Sequence, residues 1–532
     1  MSSRNHSNSP APNARTSSAP PSSANWCPRT RTTNRPACCW SGSGCSGRGR
    51  ARHHPGGGVA PRNLEQDLQT MLTRIEIDGF KSFEGLVVDF LPFTVVVGNN
   101  AAGKSNLFDA IQLMANLASN DVAEAFKNMR GEPLELFRQT PHGRVSRIKL
   151  AAEVLVDPMV RDPWGSEVSL NHTRMRYEVT LERRELRPGI PKVLVAEEAA
   201  YPILKRDDRW AESNRPSKSF RAAHLKYTRT KPWLTTDDTA EGLSFSIHQD
   251  GRQGRNRPAS AAEATVLSSI TNAEFAHLFA LREELKHWRL LQLDPALLRR
   301  PAPATANDIL EPDGRNLAAV LAQLKAESAT EERPLGVLSD IASDLNNLIP
   351  GVSRLDAELH KASQEYRIEL TMRDGLPFSS KVVSDGTLRV LALLTLLHDP
   401  RHRGLICFEE PENGVHPGRI KPLVRRLRDM VTLPSDEVSA LEPLSQLMIN
   451  SHSPVVLSAL LGQDNQPSDG MVLFADTSTV SDPVARETRR RTRLRPVRSQ
   501  MQGRLFEEGV APSGFVSDME VQRVLETVHA EG

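Results

Sequence analysis

A glycine-bounded loop that ends in lysine and serine is the clearest chemical signal in the sequence. It reads Gly-Asn-Asn-Ala-Ala-Gly-Lys-Ser over residues 98–105. Backbone N–H groups of such a loop can surround phosphate oxygens, Lys104 can neutralise the β- and γ-phosphates, and the Ser105 hydroxyl can bind Mg²⁺. The alternative is an ordinary glycine-rich turn between a strand and a helix. The predicted nucleotide-binding residues are Gly98, Asn99, Asn100, Ala101, Ala102, Gly103, Lys104, Ser105 and Asn106.

Two adjacent carboxylates, Glu409 and Glu410, form a second chemical group. They follow the four apolar residues 405–408 and precede a proline that fixes the turn. A buried strand that ends in two acids can place one beside Mg²⁺ and the other beside the attacking water. We therefore predict that Glu409 lies on the metal side and that Glu410 activates water. The alternative is a strand that exits into a solvated acidic turn.

Two further segments carry polar groups where an apolar element begins or ends. Ser384, Asp385 and Gly386 precede the apolar helical run 388–397, so they can meet a phosphate at a helix N-terminus. His452 follows the short apolar run 447–449. Taken singly, the first segment would be only a helix cap and the second only a surface histidine.

These groups must be positioned by strands and helices, and the hydrophobic pattern indicates where those elements lie. A buried strand is predicted at 93–97, before a helix that includes Leu107 and Leu117. Alternation of apolar and polar residues predicts half-buried antiparallel strands. Helical spacing predicts further helices. The strands are at 148–154, 175–181 and 366–372, and the helices at 275–285, 317–324 and 338–348. The polar stretch 200–260 is predicted to end in a flexible segment, 251–255.

Composition favours a cytoplasmic protein of more than one lobe. The chain has 532 residues, of which 39% are hydrophobic, and it contains no run of 18 apolar residues. Four of its five cysteines lie within residues 1–70, without the spacing of a zinc site or a disulfide framework. That segment is rich in Ser, Pro, Gly and Arg, so we expect it to be disordered. It could also be absent from the natural protein, with the true start at Met71, where the first alternating strand begins.

The ordered set of motifs resembles the ATP-binding cassette heads of the RecF/SMC branch, and in particular the stand-alone predicted ATPases of the AAA type grouped with RecF. The resemblance covers the two ends of residues 71–475. It rests on five segments: Gly-Phe-Lys-Ser-Phe at 79–83, the loop at 98–106, Val-Ser-Asp-Gly-Thr-Leu-Arg at 383–389, the acidic segment at 409–417 and Ser-His-Ser-Pro at 451–454.

The resemblance implies an α/β P-loop ATPase head with an antiparallel β subdomain and a helical lobe. It also implies ATP hydrolysis in a homodimer that holds two ATP molecules between its subunits. Residues 384–386 would then contact the γ-phosphate held by the other subunit. Residues 414–416 would lie at the dimer seam, and His452 would be the switch histidine.

Some residues depart from the family pattern. The metal-side acid is usually aspartate in transporters but is Glu409 here, and no glutamine occurs between Gln139 and Gln249 to serve as the usual Q-loop ligand. With no membrane span, a transport role is disfavoured. The arginines at 489–491 replace the acidic cluster that a nuclease extension would need.

The motifs and composition divide the chain into five expected regions. They are a tail at 1–70, an N-terminal ATPase lobe at 71–200, an inserted basic segment and helical lobe at 201–365, a C-terminal ATPase lobe at 366–475 and an extension at 476–532.

By analogy with the family, we expect a role in DNA repair, recombination or chromosome maintenance. The alternatives are a defence-type ATPase that regulates a separate effector protein and a nucleotide-binding scaffold. One local feature favours DNA: residues 205–231 hold nine basic residues interleaved with Trp210, Phe220 and Tyr227, which suits phosphate contact and base stacking. The alternative is an insert whose aromatic residues anchor it to the sheet lobe.

Overall fold

The structure is a computed structural model. It describes residues 71–532 except 128, 188–189, 240–241, 250–251, 402–403, 430, 438–443, 462–469, 483–486, 499–515 and 532. The predictions for residues 1–70 lie outside the described residues.

The described strands are numbered in chain order. The strands are β1 Met71–Asp78, β2 Leu86–Asp89, β3 Phe93–Gly98, β4 Gln139–Thr140, β5 Gly143–Arg144, β6 Arg147–Leu155, β7 Met159–Arg161, β8 Glu167–Ser169, β9 Arg174–Arg187, β10 Ile190–Pro202, β11 Leu234–Thr239, β12 Gly242–Gln249, β13 Arg252–Pro258, β14 Arg289–Leu291, β15 Ala302–Pro303, β16 Val352–His360, β17 Glu365–Met372, β18 Pro377–Ser379, β19 Gly404–Glu409, β20 Ser445–Ser451, β21 Gly470–Asp482, β22 Glu487–Arg498 and β23 Val516–Ser517.

The described helices range from one turn to four turns. They are α1 Lys104–Leu117, α2 Val122–Lys127, α3 Arg209–Asn214, α4 Lys218–His224, α5 Ala276–Lys286, α6 Pro295–Leu298, α7 Leu317–Ser328, α8 Leu338–Leu348, α9 Asp385–His398, α10 Pro417–Arg428, α11 Pro454–Leu461 and α12 Asp518–Glu531. No helix in the described residues is both long enough and apolar enough to cross a membrane.

Two large sheets organise the described residues. One is largely parallel, with the strand order β14-β19-β20-β3-β21-β22-β23. The other is antiparallel, with the order β13-β12-β11-β10-β9-β6-β1-β2. A smaller sheet pairs β16 with β17, β17 with β18, and β15 with β17. The predicted α/β class with an antiparallel β subdomain and helical elements is confirmed.

The parallel sheet separates two hydrophobic cores. Successive buried residues of one strand enter different cores, because side chains alternate across a strand. Val96 packs in the core that contains α1 and the antiparallel sheet, whereas Val95 packs in the core that contains α7, α8 and α9. Cys407 and Ile406 of β19 divide in the same way. Helices α1 and α9 therefore lie on opposite faces of the parallel sheet.

Three sequence-based expectations need correction. Residues 252–255 do not form a flexible segment, since they belong to β13 and pair with β12. The expected boundary after residue 200 falls inside β10, and β11 to β13 continue the same sheet. The expected boundary after residue 475 falls inside β21, which pairs with β3 in the parallel sheet. In the last two cases strand pairing crosses a boundary that composition alone had suggested.

Candidate nucleotide-binding site

Three parallel strands end at one edge of the parallel sheet, and each ends in a predicted functional segment. Strand β20 lies between β3 and β19, with Ser451 opposite Val97 and Asn450 opposite Glu409. Because the carboxyl ends of parallel strands meet at one edge, the loop at 98–105 and the segments after β19 and β20 lie side by side.

The loop at 98–105 is closely packed at both of its glycines. A Cβ on Gly98 would lie 2.4 Å from the Ala475 carbonyl oxygen, and one on Gly103 would lie 2.4 Å from Thr492 Oγ1. Gly103 also has a φ of 93°, which only glycine adopts without strain. Both positions therefore require glycine, as the loop motif predicts.

Lys104 is buried against the inside of this loop. Its Nζ donates to the carbonyl oxygens of Gly98 at 2.7 Å and Asn99 at 2.9 Å. Burial lowers the pKa of Lys104, while the nearby carboxylates of Glu410, Glu412 and Glu409 act in the opposite direction. The lysine is thus held in the loop with acidic groups close by.

Glu409 and Ser105, the two predicted metal-side residues, have different partners in the structure. Arg130 donates to both carboxylate oxygens of Glu409, at 3.1 and 3.4 Å, and also pairs with Asp109 of α1 at 2.8 Å. Ser105 Oγ instead accepts from Asn450 Nδ2 at 3.3 Å. The arginine therefore occupies the carboxylate that was predicted to face the metal.

Glu410 and His452, the predicted water-activating carboxylate and switch histidine, lie in contact. His452 Nδ1 lies 3.1 Å from Glu410 Oε1, and Asn413 Nδ2 donates to Glu410 Oε2 at 2.6 Å. The Glu410 backbone N–H also donates to the Asn450 carbonyl oxygen at 2.8 Å. Contacts to the side chain and the backbone thus fix the position of this carboxylate.

Glu412 is a buried carboxylate that the sequence analysis did not single out. Ser451 Oγ donates to its Oε1 at 2.5 Å, and its Oε2 has no hydrogen-bond partner among the described residues. Burial raises the pKa of Glu412. Glu412 therefore adds a third acidic group near Lys104, besides Glu409 and Glu410.

The predicted phosphate-binding helix N-terminus is formed at α9. Ser384 caps the helix by accepting from the Thr387 N–H at 3.2 Å, and Asp385 pairs with Arg299 at 2.5 Å. A Cβ on Gly386 would lie 1.9 Å from the Gly414 carbonyl oxygen, so the helix start touches the turn that follows Glu410. No hydrogen bond between described residues joins 384–386 to the loop at 98–106.

A contact between distant parts of the chain covers the other side of the loop. Thr492 Oγ1 donates to Ser82 Oγ at 2.7 Å, and Asn106 Nδ2 donates to the same oxygen at 2.9 Å. Thr492 belongs to the segment predicted to be an extension, and its sequence carries no signal for this position. Asn450 and Glu412, in contrast, lie beside predicted residues and could have been included on that ground.

The polar groups around the loop suit Mg²⁺ bound together with a nucleotide. The described residues contain no cluster of three or more His, Cys, Asp or Glu side chains that could hold a metal ion. Mg²⁺ commonly uses one or two protein oxygens together with substrate phosphates, so a full protein cage is not needed. Ser105 offers a hydroxyl, and Asn99 and Asn450 each have a buried side-chain oxygen without a described partner. The donor set therefore fits Mg²⁺ bound with phosphates.

The basic segment at 205–231 is anchored by its aromatic residues. Trp210 and Phe220 are buried in a cluster with Met71, while Tyr227 donates to the buried Asp208 at 2.7 Å. Base stacking on Trp210 or Phe220 is thus ruled out as these side chains stand, which corrects that part of the DNA prediction. Seven of the nine basic side chains are exposed, namely Lys205, Arg206, Arg209, Arg215, Lys218, Arg221 and Lys231.

Three features together define a P-loop ATPase domain. They are the strand order of the parallel sheet, the glycine-bounded loop with Lys104, and the contact between Glu410 and His452. The chain belongs to the family described as "AAA domain, putative AbiEii toxin, Type IV TA system", whose sequence model matches residues 93–458. The predicted AAA-type ATPase class is thereby confirmed.

Short and distant similarities accompany this family match. The chain is 48% identical over 63 residues to the chromosome partition protein Smc of Synechocystis sp., which is 12% of this chain and 5% of that protein. It is similar to an Smc head bound to the C-winged helix domain of ScpA, with 14% identity, a TM-score of 0.43 and coverage of 82% of this chain and 100% of the other. An Smc head from Pyrococcus furiosus with an extended coiled coil gives 12% identity, a TM-score of 0.41 and coverage of 86% and 100%.

Proposed function

We propose that the protein hydrolyses ATP as a homodimer that holds two ATP molecules between its subunits. The observation that carries the proposal is the division of the predicted site between two helix layers. Lys104, Ser105, Glu410 and His452 meet at one sheet edge, whereas Ser384 begins α9, which lies on the face of the sheet opposite to α1 and has no described hydrogen bond to the loop at 98–106. A second subunit can bring its Ser384 to the phosphates bound by the first.

In this mechanism each residue acts on a stated part of ATP. Lys104 leaves the Gly98 and Asn99 carbonyl oxygens and binds the β- and γ-phosphates. Glu410 orients the attacking water and accepts its proton, while His452 holds the Glu410 carboxylate in place. Mg²⁺, held by the Ser105 hydroxyl and the Glu409 carboxylate, would neutralise part of the negative charge of the phosphates. For Glu409 to serve in this way, Arg130 must release it.

Sedimentation with ATP tests the proposal. The Glu410→Gln variant should bind ATP and accumulate as a dimer, with turnover reduced about a hundredfold because an acid-base group is lost. Lys104→Ala, the control, should neither bind ATP nor dimerise with it. If Glu410→Gln stays monomeric at saturating ATP, the ATP-sandwiched dimer is wrong.

A role in DNA maintenance is our first candidate for the biological activity. It is supported by the seven exposed cations of the basic segment and by the short match to a chromosome partition protein. Charge reversal of Arg215, Lys218 and Arg221 should weaken duplex DNA binding and reduce its salt dependence. Unchanged affinity and salt slope would exclude this surface.

A matched control for that experiment lies on the small β16–β17–β18 sheet. Lys361, Arg367 and Arg373 are exposed there, and reversing their charges changes the net charge equally without touching the basic segment. DNA binding should then keep its salt slope. Equal losses in both variants would mean that net charge, and not a defined surface, governs binding.

A defence role is the second candidate, and the family description supports it because it names a toxin of a toxin–antitoxin system. In this role the ATP-dependent dimer would control a separate effector protein. DNA-stimulated ATP turnover separates the two candidates. Stimulation by duplex DNA favours maintenance, and turnover that DNA does not change favours the effector role.

A further inference from the structure

Asn450 contacts the Ser105 hydroxyl from the neighbouring strand. The residue is 2% exposed, and its Nδ2 donates to Ser105 Oγ at 3.3 Å. Its Oδ1 is buried and has no hydrogen-bond partner among the described residues. A buried amide oxygen without a partner is costly, so its retention beside the loop calls for an explanation.

The Ser105 hydroxyl needs an acceptor if its oxygen is to bind Mg²⁺. The metal uses a lone pair of Oγ, and the hydroxyl proton must then be donated elsewhere. Glu409 does not serve as that acceptor in this structure, since its carboxylate is bonded to Arg130 and no described hydrogen bond joins it to Ser105. The described hydrogen bonds give the Ser105 Oγ no side-chain partner other than Asn450.

The Asn450 amide can present a different end to Ser105 in each of two states, one without bound Mg²⁺ and one with it. With Nδ2 toward Ser105, the amide donates to one of the two lone pairs of the hydroxyl oxygen and cannot accept the hydroxyl proton. A half-turn of the amide exchanges its two ends, so that Oδ1 accepts the hydroxyl proton and both lone pairs of Ser105 Oγ are open to the metal. The oxygen that has no partner in this structure is the atom that the half-turn would bring to Ser105.

We propose that Asn450 is a positioning residue of the Mg²⁺ site, which accepts the Ser105 hydroxyl proton when Ser105 binds the metal. This inference rests on the proposed ATPase function. Asn450 lies on β20, between β3 and β19. Its role depends on the amide oxygen more than on the size of the side chain.

The test measures the Mg²⁺ concentration at which binding of a fluorescent, non-hydrolysable ATP analogue is half-maximal. Asn450→Leu removes both polar atoms and should raise this concentration about tenfold to a hundredfold, the usual effect of losing a group that supports a metal ligand. Affinity for the analogue in EDTA should stay unchanged. Asn450→Asp keeps an acceptor and adds charge, so its half-maximal concentration should be lower than that of the wild type.

Asn316→Leu is a matched control, since Asn316 is also 2% exposed but hydrogen-bonds to residues 307–311, which lie outside the site. It should lower the melting temperature without moving the Mg²⁺ dependence. In a Ser105→Ala background, Asn450→Leu should cause no further shift, because its effect acts through that hydroxyl.

The failure of this inference and that of the ATPase proposal give different results. A wild-type protein that binds no ATP analogue at any Mg²⁺ concentration would overturn both. If the wild type binds with a clear Mg²⁺ dependence and Asn450→Leu shows the same dependence, only the role of Asn450 is wrong. Should the leucine variant not fold, an Asn450→Asp protein with the wild-type Mg²⁺ dependence would overturn it instead.

Discussion

Replacing Gly386 with alanine tests whether the start of α9 and the turn after Glu410 must touch. The added Cβ would lie 1.9 Å from the Gly414 carbonyl oxygen and 2.9 Å from the Gly414 Cα. Both obstacles are backbone atoms, so no side-chain rotation can relieve the overlap. One segment has to move by roughly 1 Å, a displacement that can cost about a hundredfold in rate when it reaches catalytic groups.

We expect Gly386→Ala to lose about a hundredfold in ATP turnover and to lose ATP-dependent dimerisation. ATP binding should be retained, because the loop at 98–105 lies outside this contact. Gly418→Ala is the matched control, since Gly418 is also the second residue of its helix and its Cβ would lie an acceptable 3.4 Å from His416 Nδ1. Alanine is favoured over glycine within a helix by about 1 kcal/mol, so the control should be at least as stable as the wild type.

The assays are ATP affinity, turnover and melting temperature on the two variants and the wild type. Full turnover in Gly386→Ala would show that the contact has no part in catalysis. Loss of ATP binding in a variant that melts like the wild type would show that the contact and the nucleotide loop are not separable, contrary to the reasoning.

Two further variants test other parts of the structure. Ser384→Arg should spare ATP binding but block the ATP-dependent dimer seen by sedimentation, and a dimer with normal turnover would contradict the role of this helix start. Burial raises the pKa of Glu284 to about 8, from 4.5 in the unfolded chain, so the folded protein keeps a proton that the unfolded chain releases. The contribution of Glu284 to the free energy of unfolding is therefore at its maximum below about pH 4.5. It falls by about 1.4 kcal/mol per pH unit as the pH rises towards 8. Glu284→Gln should remove that slope in chemical denaturation at about pH 5.5 and 7.5, and an unchanged slope would contradict the assignment.

The elements that carry the site were predictable because their signals are local. Strand β3 is buried along its whole length, as its apolar run predicts, and the apolar residues at every second position of 148–154 in β6 and 175–181 in β9 are buried. Ser384 caps α9 as its position before an apolar helical run predicts. In each case the residues that decide the structure lie within one element.

Strand β13 was missed because its glycine was interpreted as a source of flexibility. A Cβ on Gly254 would lie 2.5 Å from the Ile247 carbonyl oxygen of β12. The glycine is therefore needed for close approach between paired strands. A glycine in a polar segment gives the same local signal in both situations, so only the partner strand distinguishes them.

The partners of the site residues could not be predicted, since they come from distant parts of the chain. Arg130 reaches Glu409 across 279 positions, and Thr492 reaches Ser82 across 410. Neither arginine nor threonine at these positions belongs to a motif with a spacing that could be searched. The chemistry of the site was thus visible in the sequence, whereas the groups that hold it in place were not.

Backbone strain supports the location of the site independently of the motifs. Among the described residues, five that are not glycine have a positive φ, and three of them, Lys81, Ala101 and Glu410, lie in segments that form the site. Such conformations cost about 1–3 kcal/mol each and persist only where surrounding contacts enforce them. Glu410, with a φ of 52°, is held by the Asn450 carbonyl oxygen through its N–H and by Asn413 and His452 at its carboxylate. The strained backbone therefore belongs to the residue whose carboxylate is expected to orient water, where a fixed geometry matters most for catalysis.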